Sequence, residues 1–246
     1  MIKSVRALRA IFRLANPNSW GPFVEVSEVS RFDHAVSVSW SQGGEDLALL
    51  HAIGSKVDGT YLDVGAHHPS RFSVTRHIYQ RGWRGVNVEA NSDLIEAFQK
   101  ARPSDVNIHA AIGLQATYTF TVFEETAIST LNPKWREKFE KQDQKIARTE
   151  IIPGTTLRSI YDTYWPSTAV DLLCIDAEGS DLEVLQSLDI GTLEKNRFPR
   201  LLLLETEPPV INALATDAVA LAISWGYEPL VVLSMSTLLR SQAISI

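Results

Sequence analysis

The feature that most constrains this chain is its alternation of short apolar strands with segments of helical spacing. Thr60–Gly65 reads Thr-Tyr-Leu-Asp-Val-Gly, Gly85–Glu89 reads Gly-Val-Asn-Val-Glu, Val170–Ile175 reads Val-Asp-Leu-Leu-Cys-Ile and Arg200–Glu205 reads Arg-Leu-Leu-Leu-Leu-Glu. Strands this uniformly apolar are buried on both faces, which is the property of parallel sheets covered by helices on both sides. The spacing of apolar residues predicts helices over about 45–56, 72–81, 92–101, 155–163, 179–188 and 210–225. Further strands are predicted at 106–112, at 118–123 as an exposed edge, and near 227–233. In open α/β sheets ligands sit outside the carboxyl ends of the strands, at the switch point. The residues following each strand are therefore the ones to read for function.

Composition narrows the classes further. Of 246 residues, 45% are hydrophobic and 21% charged, enough to build a core. The single cysteine, Cys174, excludes an intramolecular disulfide framework and a multi-thiolate metal site. A net charge of -6 argues against a dedicated nucleic-acid binder. The charge is uneven, because residues 1–20 carry Lys3, Arg6, Arg9 and Arg13 and no acid. With Ile2, Val5, Leu8, Ile11 and Phe12 between them, these residues form either a basic amphipathic helix on an anionic membrane surface or partner, or an ordinary helix packed on its own domain. Residues 1–40 are expected to be this helix and a lead-in, and 41–246 the functional domain. The polar stretch 124–149 is expected to be a loop plus a solvated helix inserted into the fold as a lid. Arginines interrupt any signal-peptide core and no apolar run is long enough to span a bilayer, so a cytoplasmic location is expected, with contact at the inner membrane face through residues 1–20 as its extension.

The strand ends are rich in acids. Asp63 and Gly65 close the first strand, and a glycine there lets the chain turn and a ligand approach. No complete G-x-G-x-x-G is present, which leaves a dinucleotide cradle poorly supported. Glu89, at the end of the second strand, can accept both hydroxyls of a ribose, or simply sit at a helix N-terminus. Ala110 and Ala111 lie near the end of the third strand, where small residues admit a ring edge or merely pack. Asp176, Glu178 and Asp181 crowd one strand-to-helix turn, a pattern of a base, a metal site or an acidic first helical turn. Glu205 and Glu207 end the fifth strand at the same sheet edge.

Taken in order, these segments resemble the FkbM family of S-adenosylmethionine-dependent methyltransferases. The segments are Ser41-Gln-Gly-Gly-Glu-Asp46, Tyr61-Leu-Asp-Val-Gly-Ala-His-His-Pro69, Ser73-Val-Thr75, Gly82-Trp-Arg-Gly-Val-Asn-Val-Glu89, Ser129-Thr-Leu131 and Ile175-Asp-Ala-Glu-Gly-Ser-Asp-Leu-Glu-Val-Leu185. Two departures are Ala90, where the family often has proline, and Asp181, where it often has glutamate. The resemblance implies a class I methyltransferase fold: Rossmann-like, with a seven-stranded, mostly parallel sheet, helices on both faces and a reversed last strand. It implies S-adenosylmethionine as methyl donor and O-methylation of a small-molecule or glycan acceptor, commonly a sugar. Carried over by residue, Asp63, Gly65 and Ala66 match the loop under the methionine part, and Glu89 the ribose acid. Ala110 matches the adenine side, Asp176 the acid beside the methyl group, and Gln42 and Asp46 the first motif.

An alcohol acceptor needs a base or a Lewis acid, and Asp176, His67, His68 and Glu178 are the candidates. A divalent ion on Asp176 and Glu178 is an open alternative to a purely protein-based mechanism. Trp135, Phe139 and Trp165 are candidates to stack a sugar and equally good core residues. Cys174, two residues before Asp176 in a buried strand, is expected to pack rather than react. Two other classes compete: a nucleotide-sugar oxidoreductase or epimerase, which the missing glycine fingerprint disfavours, and a non-catalytic copy of the fold. A homo-oligomer is left open.

Overall fold

The computed structural model describes residues 37–206 and 210–243. The predicted basic helix within residues 1–20, the lead-in up to residue 36, and Glu207 lie outside the described residues. Among the described residues no helix is long and apolar enough to cross a membrane.

The chain begins with α1 (Glu45–Ile53), β1 (Thr60–Val64), α2 (Arg76–Gln80), β2 (Arg84–Glu89), α3 (Ser92–Ala101), β3 (Val106–His109) and β4 (Ala111–Ile112). It continues with β5 (Thr117–Phe123), α4 (Pro133–Glu140), β6 (Ile146–Thr155), α5 (Leu157–Tyr164), β7 (Leu172–Ile175) and α6 (Asp181–Gln186). The last part is β8 (Leu201–Glu205), α7 (Asp217–Ser224), β9 (Tyr227–Val232) and β10 (Ser236–Ser241).

Seven strands form the main sheet in the order β3-β2-β1-β7-β8-β10-β9. The five from β3 to β8 are parallel, and β10 runs antiparallel to both β8 and β9. The reversed last strand is thus present, but it lies beyond the predicted strand near 227–233. It lies between β8 and β9, and the predicted edge strand 118–123 is outside the main sheet. β5, β6 and β4 make a separate three-stranded sheet.

Strand alternation explains the two-sided burial. Leu62, Val64, Val88, Leu173, Ile175 and Leu204 point to one face and pack with Leu157, Ile160, Val184 and Val219 from α5, α6 and α7. Tyr61, Leu172, Cys174, Leu201 and Leu203 point to the other and pack with Leu49, Ile53 and Ile78 from α1 and α2. At about 1.5–3 kcal/mol for each fully buried large apolar side chain, these two layers dominate the stability of the sheet.

Several boundaries differ from the patterning, each for a local reason. Residues 72–75 are not helical, because the hydroxyls of Ser73 and Thr75 are committed to Arg102 and Asp63. The run 106–112 breaks at Ala110, where the chain leaves the main sheet for the small one. In 124–149 the helix is α4, capped by the Asn132 side chain on the Lys134 amide with Pro133 in its first turn. Residues 146–149 are not loop but the start of β6, which pairs along the whole of β5. The region 210–225 holds a 3-10 turn at Val210–Ala215 and then the shorter α7.

Candidate active site

The parallel strands bring Val64, Glu89, Ile175 and Glu205 to one edge, and the chain reverses its winding direction between β1 and β7. A cleft of about 920 Å³, counting the solvent at its mouth, opens there. Its walls bring together Gln42, Asp63, Gly65, Ala66, His67 and Glu89 from the first half of the chain with Ala110, Asp176 and Glu178 from later strand ends. Asp46 is the predicted cofactor residue the structure does not place there. It is fully buried, and its carboxylate accepts hydrogen bonds from Ser39 Oγ (2.6 Å), Ser41 Oγ (2.9 Å) and the Trp40 amide (2.6 Å). Asp46 therefore shapes the segment that carries Gln42 and does not line the cleft.

The floor is built by backbone geometry. Gly65 has φ +73°, and a Cβ on it would overlap the backbone carbonyl of Asp176. The turn after β1 can therefore lie flat on the turn after β7 only with glycine at this position. His67 (φ +51°) and Glu178 (φ +45°) are left-handed without being glycine. Strain of this kind gathers at functional sites.

Glu89 is buried, and each of its carboxylate oxygens accepts one backbone amide, His67 N at 2.8 Å and Asn91 N at 2.7 Å. The carboxylate keeps acceptor capacity beyond these two amides. Burial pushes the Glu89 carboxyl up to about 7, opposed by the amides of Asn91, His67 and Ala90. Asp63 is also buried; it accepts Thr75 Oγ1 at 2.7 Å and the thiol of Cys174. Burial raises the Asp63 carboxyl and these two donors, with Arg102, restrain it. Cys174 itself is held well up by burial and by Asp63, so it stays a thiol and packs, as its strand position suggested.

Asp176 is exposed to the solvent of the cleft, with the other acids of the strand ends around it. Confinement, followed by the charges of Asp181, Asp63, Glu45 and Glu89, pushes its carboxyl up to about 8. Asp181 lies behind it, accepting the Ala177 amide, and is pushed up to about 6 by burial. Asp176, Glu178 and Glu205 offer carboxylate oxygens within 4.8 Å of one another. Such a set can share protons or hold a hard divalent cation.

The two histidines differ. His67 has Nε2 3.0 Å from Thr126 Oγ1, while its Nδ1 is buried without a partner. Burial, then the charge of Arg71, pushes it down to about 4, so it is neutral at physiological pH. His68 Nδ1 accepts the amides of Ser70 and Arg71, which occupies the lone pair a base would need.

The stretch after β5 meets the acidic turn directly. Thr130 Oγ1 donates to the Glu178 carbonyl at 2.7 Å and Asn132 Nδ2 to the Gly179 carbonyl at 2.5 Å. Trp135 covers Gly179 so closely that a Cβ there would overlap the indole. Phe139 and Trp165 are buried, packed on Phe123 and Tyr161 respectively, and are core residues rather than stacking platforms. Patterning overlooked Arg102, Thr126 and the role of Ser73 and Thr75. An arginine just past a helix end carries no signal beyond the ordinary helix dipole partner.

The fold and the acid-lined switch-point cleft define a class I methyltransferase. A sequence model described as the Methyltransferase FkbM domain matches residues 63–214, and the chain belongs to that family: it is an S-adenosylmethionine-dependent methyltransferase. No curated protein matches it in sequence. Among solved structures it is similar to a TehB-like SAM-dependent methyltransferase from Corynebacterium glutamicum, at 9% identity and TM-score 0.41, covering 88% of this chain and 96% of that one. It is also similar to the C-terminal domain of precorrin-6Y C5,15-methyltransferase from Rhodobacter capsulatus, at 12% identity and TM-score 0.41 over 85% and 91% of the two chains. A third is fibrillarin from Aeropyrum pernix in complex with natively bound S-adenosyl-L-methionine, at 11% identity and TM-score 0.43 over 79% and 71%. At this level of similarity the three carry no argument about function.

Proposed function

We propose that this chain methylates a hydroxyl oxygen of a polar, polyhydroxylated acceptor of sugar type, with Asp176 as the general base. The observation that carries the reading is the position and basicity of Asp176: a carboxylate at the cleft, raised to about 8, beside the acids that would face a cationic donor.

The cleft suits S-adenosylmethionine. Glu89 keeps acceptor capacity that a ribose hydroxyl can use. Ala110 and Ala111 leave room for an adenine edge. Gly65 lets the backbone run close beneath the donor, and Asp63 faces its amino-acid part. Bound there, the donor supplies an electrophilic methyl group on a sulfonium. Asp176 would take the proton of the acceptor hydroxyl while that oxygen displaces sulfur from the methyl carbon, the carbon–sulfur electron pair leaving with the neutral thioether. A base is most effective when its pKa lies near the working pH, which favours Asp176 at about 8 over His67 at about 4.

The acceptor class is supported by a second groove. It lies between β5 and α6, shares Leu131 with the cleft and runs past Gly179, next to Glu178. Gln115, Thr119, Arg136, Glu183 and Gln186 line it. Alternating hydroxyl, amide and charged groups recognise a ring of hydroxyls better than an apolar chain. The test is incubation with methyl-labelled donor and a panel of glycans, lipids and polyketides, read by mass spectrometry. Label on a sugar oxygen, lost in Asp176→Asn, is the expected result. Label only on nitrogen, carbon or sulfur overturns the oxygen assignment.

A further inference from the structure

We infer that Arg102, through the hydroxyl of Thr75, is a positioning residue that keeps Asp63 as an anion facing the amino-acid part of the methyl donor. This rests on the donor-site reading above.

Arg102 is 2% exposed, a position where an unpaired guanidinium would be very costly. Its Nη1 donates to Thr75 Oγ1 at 2.7 Å, and its Nη2 donates to Ser73 Oγ at 2.7 Å and to the Pro69 carbonyl at 2.8 Å. Because Thr75 Oγ1 accepts from the guanidinium, its own proton is free to point the other way, and it donates to Asp63 Oδ2 at 2.7 Å. The order of donors is thus fixed: guanidinium to hydroxyl to carboxylate. A hydroxyl polarised by a cation is a stronger donor than a free one, and a stronger donor favours the ionised acid. On its other side Arg102 Nη1 reaches Tyr61 Oη at 3.4 Å, and that phenol donates to Asp105. The guanidinium therefore sits between two carboxylates and reaches each through a hydroxyl.

The same contacts give the arginine a second effect. Pro69, Ser73 and Thr75 all belong to the segment joining β1 to α2, whose first part carries His67 on the cleft wall. Arg102 anchors that segment from the end of α3, across 27 to 33 residues of sequence. The groups facing Asp63 are Thr75, Cys174 and Arg102, which favour its charge, and Asp105, Glu89 and Asp176, which oppose it. Three acids in opposition explain why a buried cation one hydroxyl away is needed.

The experiment compares two ligands by titration calorimetry between pH 5 and 9. S-adenosylhomocysteine, the demethylated donor, carries the amino-acid part and 5′-methylthioadenosine lacks it, while both are uncharged at sulfur and carry the ribose that Glu89 would bind. The ratio of their affinities isolates Asp63 from Glu89. In Thr75→Val the pH at which this ratio falls is expected to rise by about one unit, a tenfold weaker binding of S-adenosylhomocysteine at pH below it. Methylthioadenosine binding stays unchanged, and Thr75→Ser restores the wild-type profile. Arg102→Gln is expected to shift further in the same direction; if it does not fold, the Thr75 pair still decides. Coincident profiles for wild type and Thr75→Val, or parallel weakening of both ligands, overturn the inference. A wild-type chain that binds methylthioadenosine but not S-adenosylhomocysteine, or neither, overturns the donor-site reading itself.

Discussion

Gly65, at the end of β1, lies against the backbone carbonyl of Asp176, at the end of β7, with no space between them for a Cβ. The turn after β1 and the turn that carries the proposed base are therefore one packed unit, although 111 residues separate them. Gly65→Ala must adopt a left-handed backbone and displace the Asp176 turn. Overpacking of this kind costs about 1–3 kcal/mol in addition to the backbone strain. The expected outcome is a lower thermal midpoint together with loss of donor binding, followed by calorimetry. A variant that binds donor normally would show that the two turns are not coupled.

Glu89 sets a strict requirement on its replacement. Both oxygens already accept amides, so an amide nitrogen in Glu89→Gln would face His67 N or Asn91 N as donor against donor. Losing hydrogen bonds to a charged group costs about 1.5–3 kcal/mol, roughly a 10- to 100-fold weaker donor. Glu89→Gln and Glu89→Ala are both expected to weaken donor binding by that much. Normal binding by Glu89→Gln would remove this carboxylate from the ribose site.

Asp176 and His67 compete as bases, and their variants separate them. Asp176→Asn is expected to lower kcat by about 10²- to 10⁴-fold, the usual contribution of a general base. His67→Asn tolerates the left-handed backbone and keeps the amide bonded to Glu89, so its loss should stay within about tenfold. The wild-type rate is expected to rise with pH through about 8, as Asp176 loses its proton. A flat profile would take the role away from Asp176.

The acidic cluster also has a signature in stability. Asp176, Asp181 and Glu205 have raised carboxyls, caused first by desolvation and then, at Asp176, by the charge of Asp181 and, at Glu205, by the charges of Asp176 and Asp181. The folded state therefore holds protons that the unfolded state has released. This contribution to stability is complete below the ordinary carboxylate range and is lost as pH rises through about 6 and 8. Thermal melts should show a falling midpoint over that window and a smaller fall in Asp176→Asn. That variant should be the more stable protein at pH 9, since it removes one of the repelling charges.

Trp135 over Gly179 ties α4 to the acidic turn. Trp135→Ala should leave donor affinity unchanged, because Glu89 and Asp63 lie on the other wall. It should lower kcat by about tenfold as the Glu178 backbone loses its support. Equal loss of donor affinity would mean that the whole cleft depends on this contact.

Much of the site was legible in the chain itself. Asp63, Glu89 and Asp176 each follow an apolar run, and in a parallel sheet such residues share one edge whatever the details of packing. The same rule located Gly65, Ala110 and Glu178 on the cleft. Asp46, matched to the first motif only through the family resemblance, turns inward, where two serines and an amide bond it. The alternation of Tyr118, Phe120 and Val122 marks β5 as a strand with one covered face, but alternation does not name a partner, and β5 pairs with β6 outside the main sheet.

The sequence by itself determined the fold class and the row of acids at the strand ends, because strand burial and strand-end position follow from local periodicity. The tertiary structure decided which of those acids have raised carboxyls, which histidine nitrogen is left without a partner, and that Arg102 is buried against Thr75 beside Asp63. These depend on desolvation and on charges brought together from distant parts of the chain, and no local pattern of residues contains them.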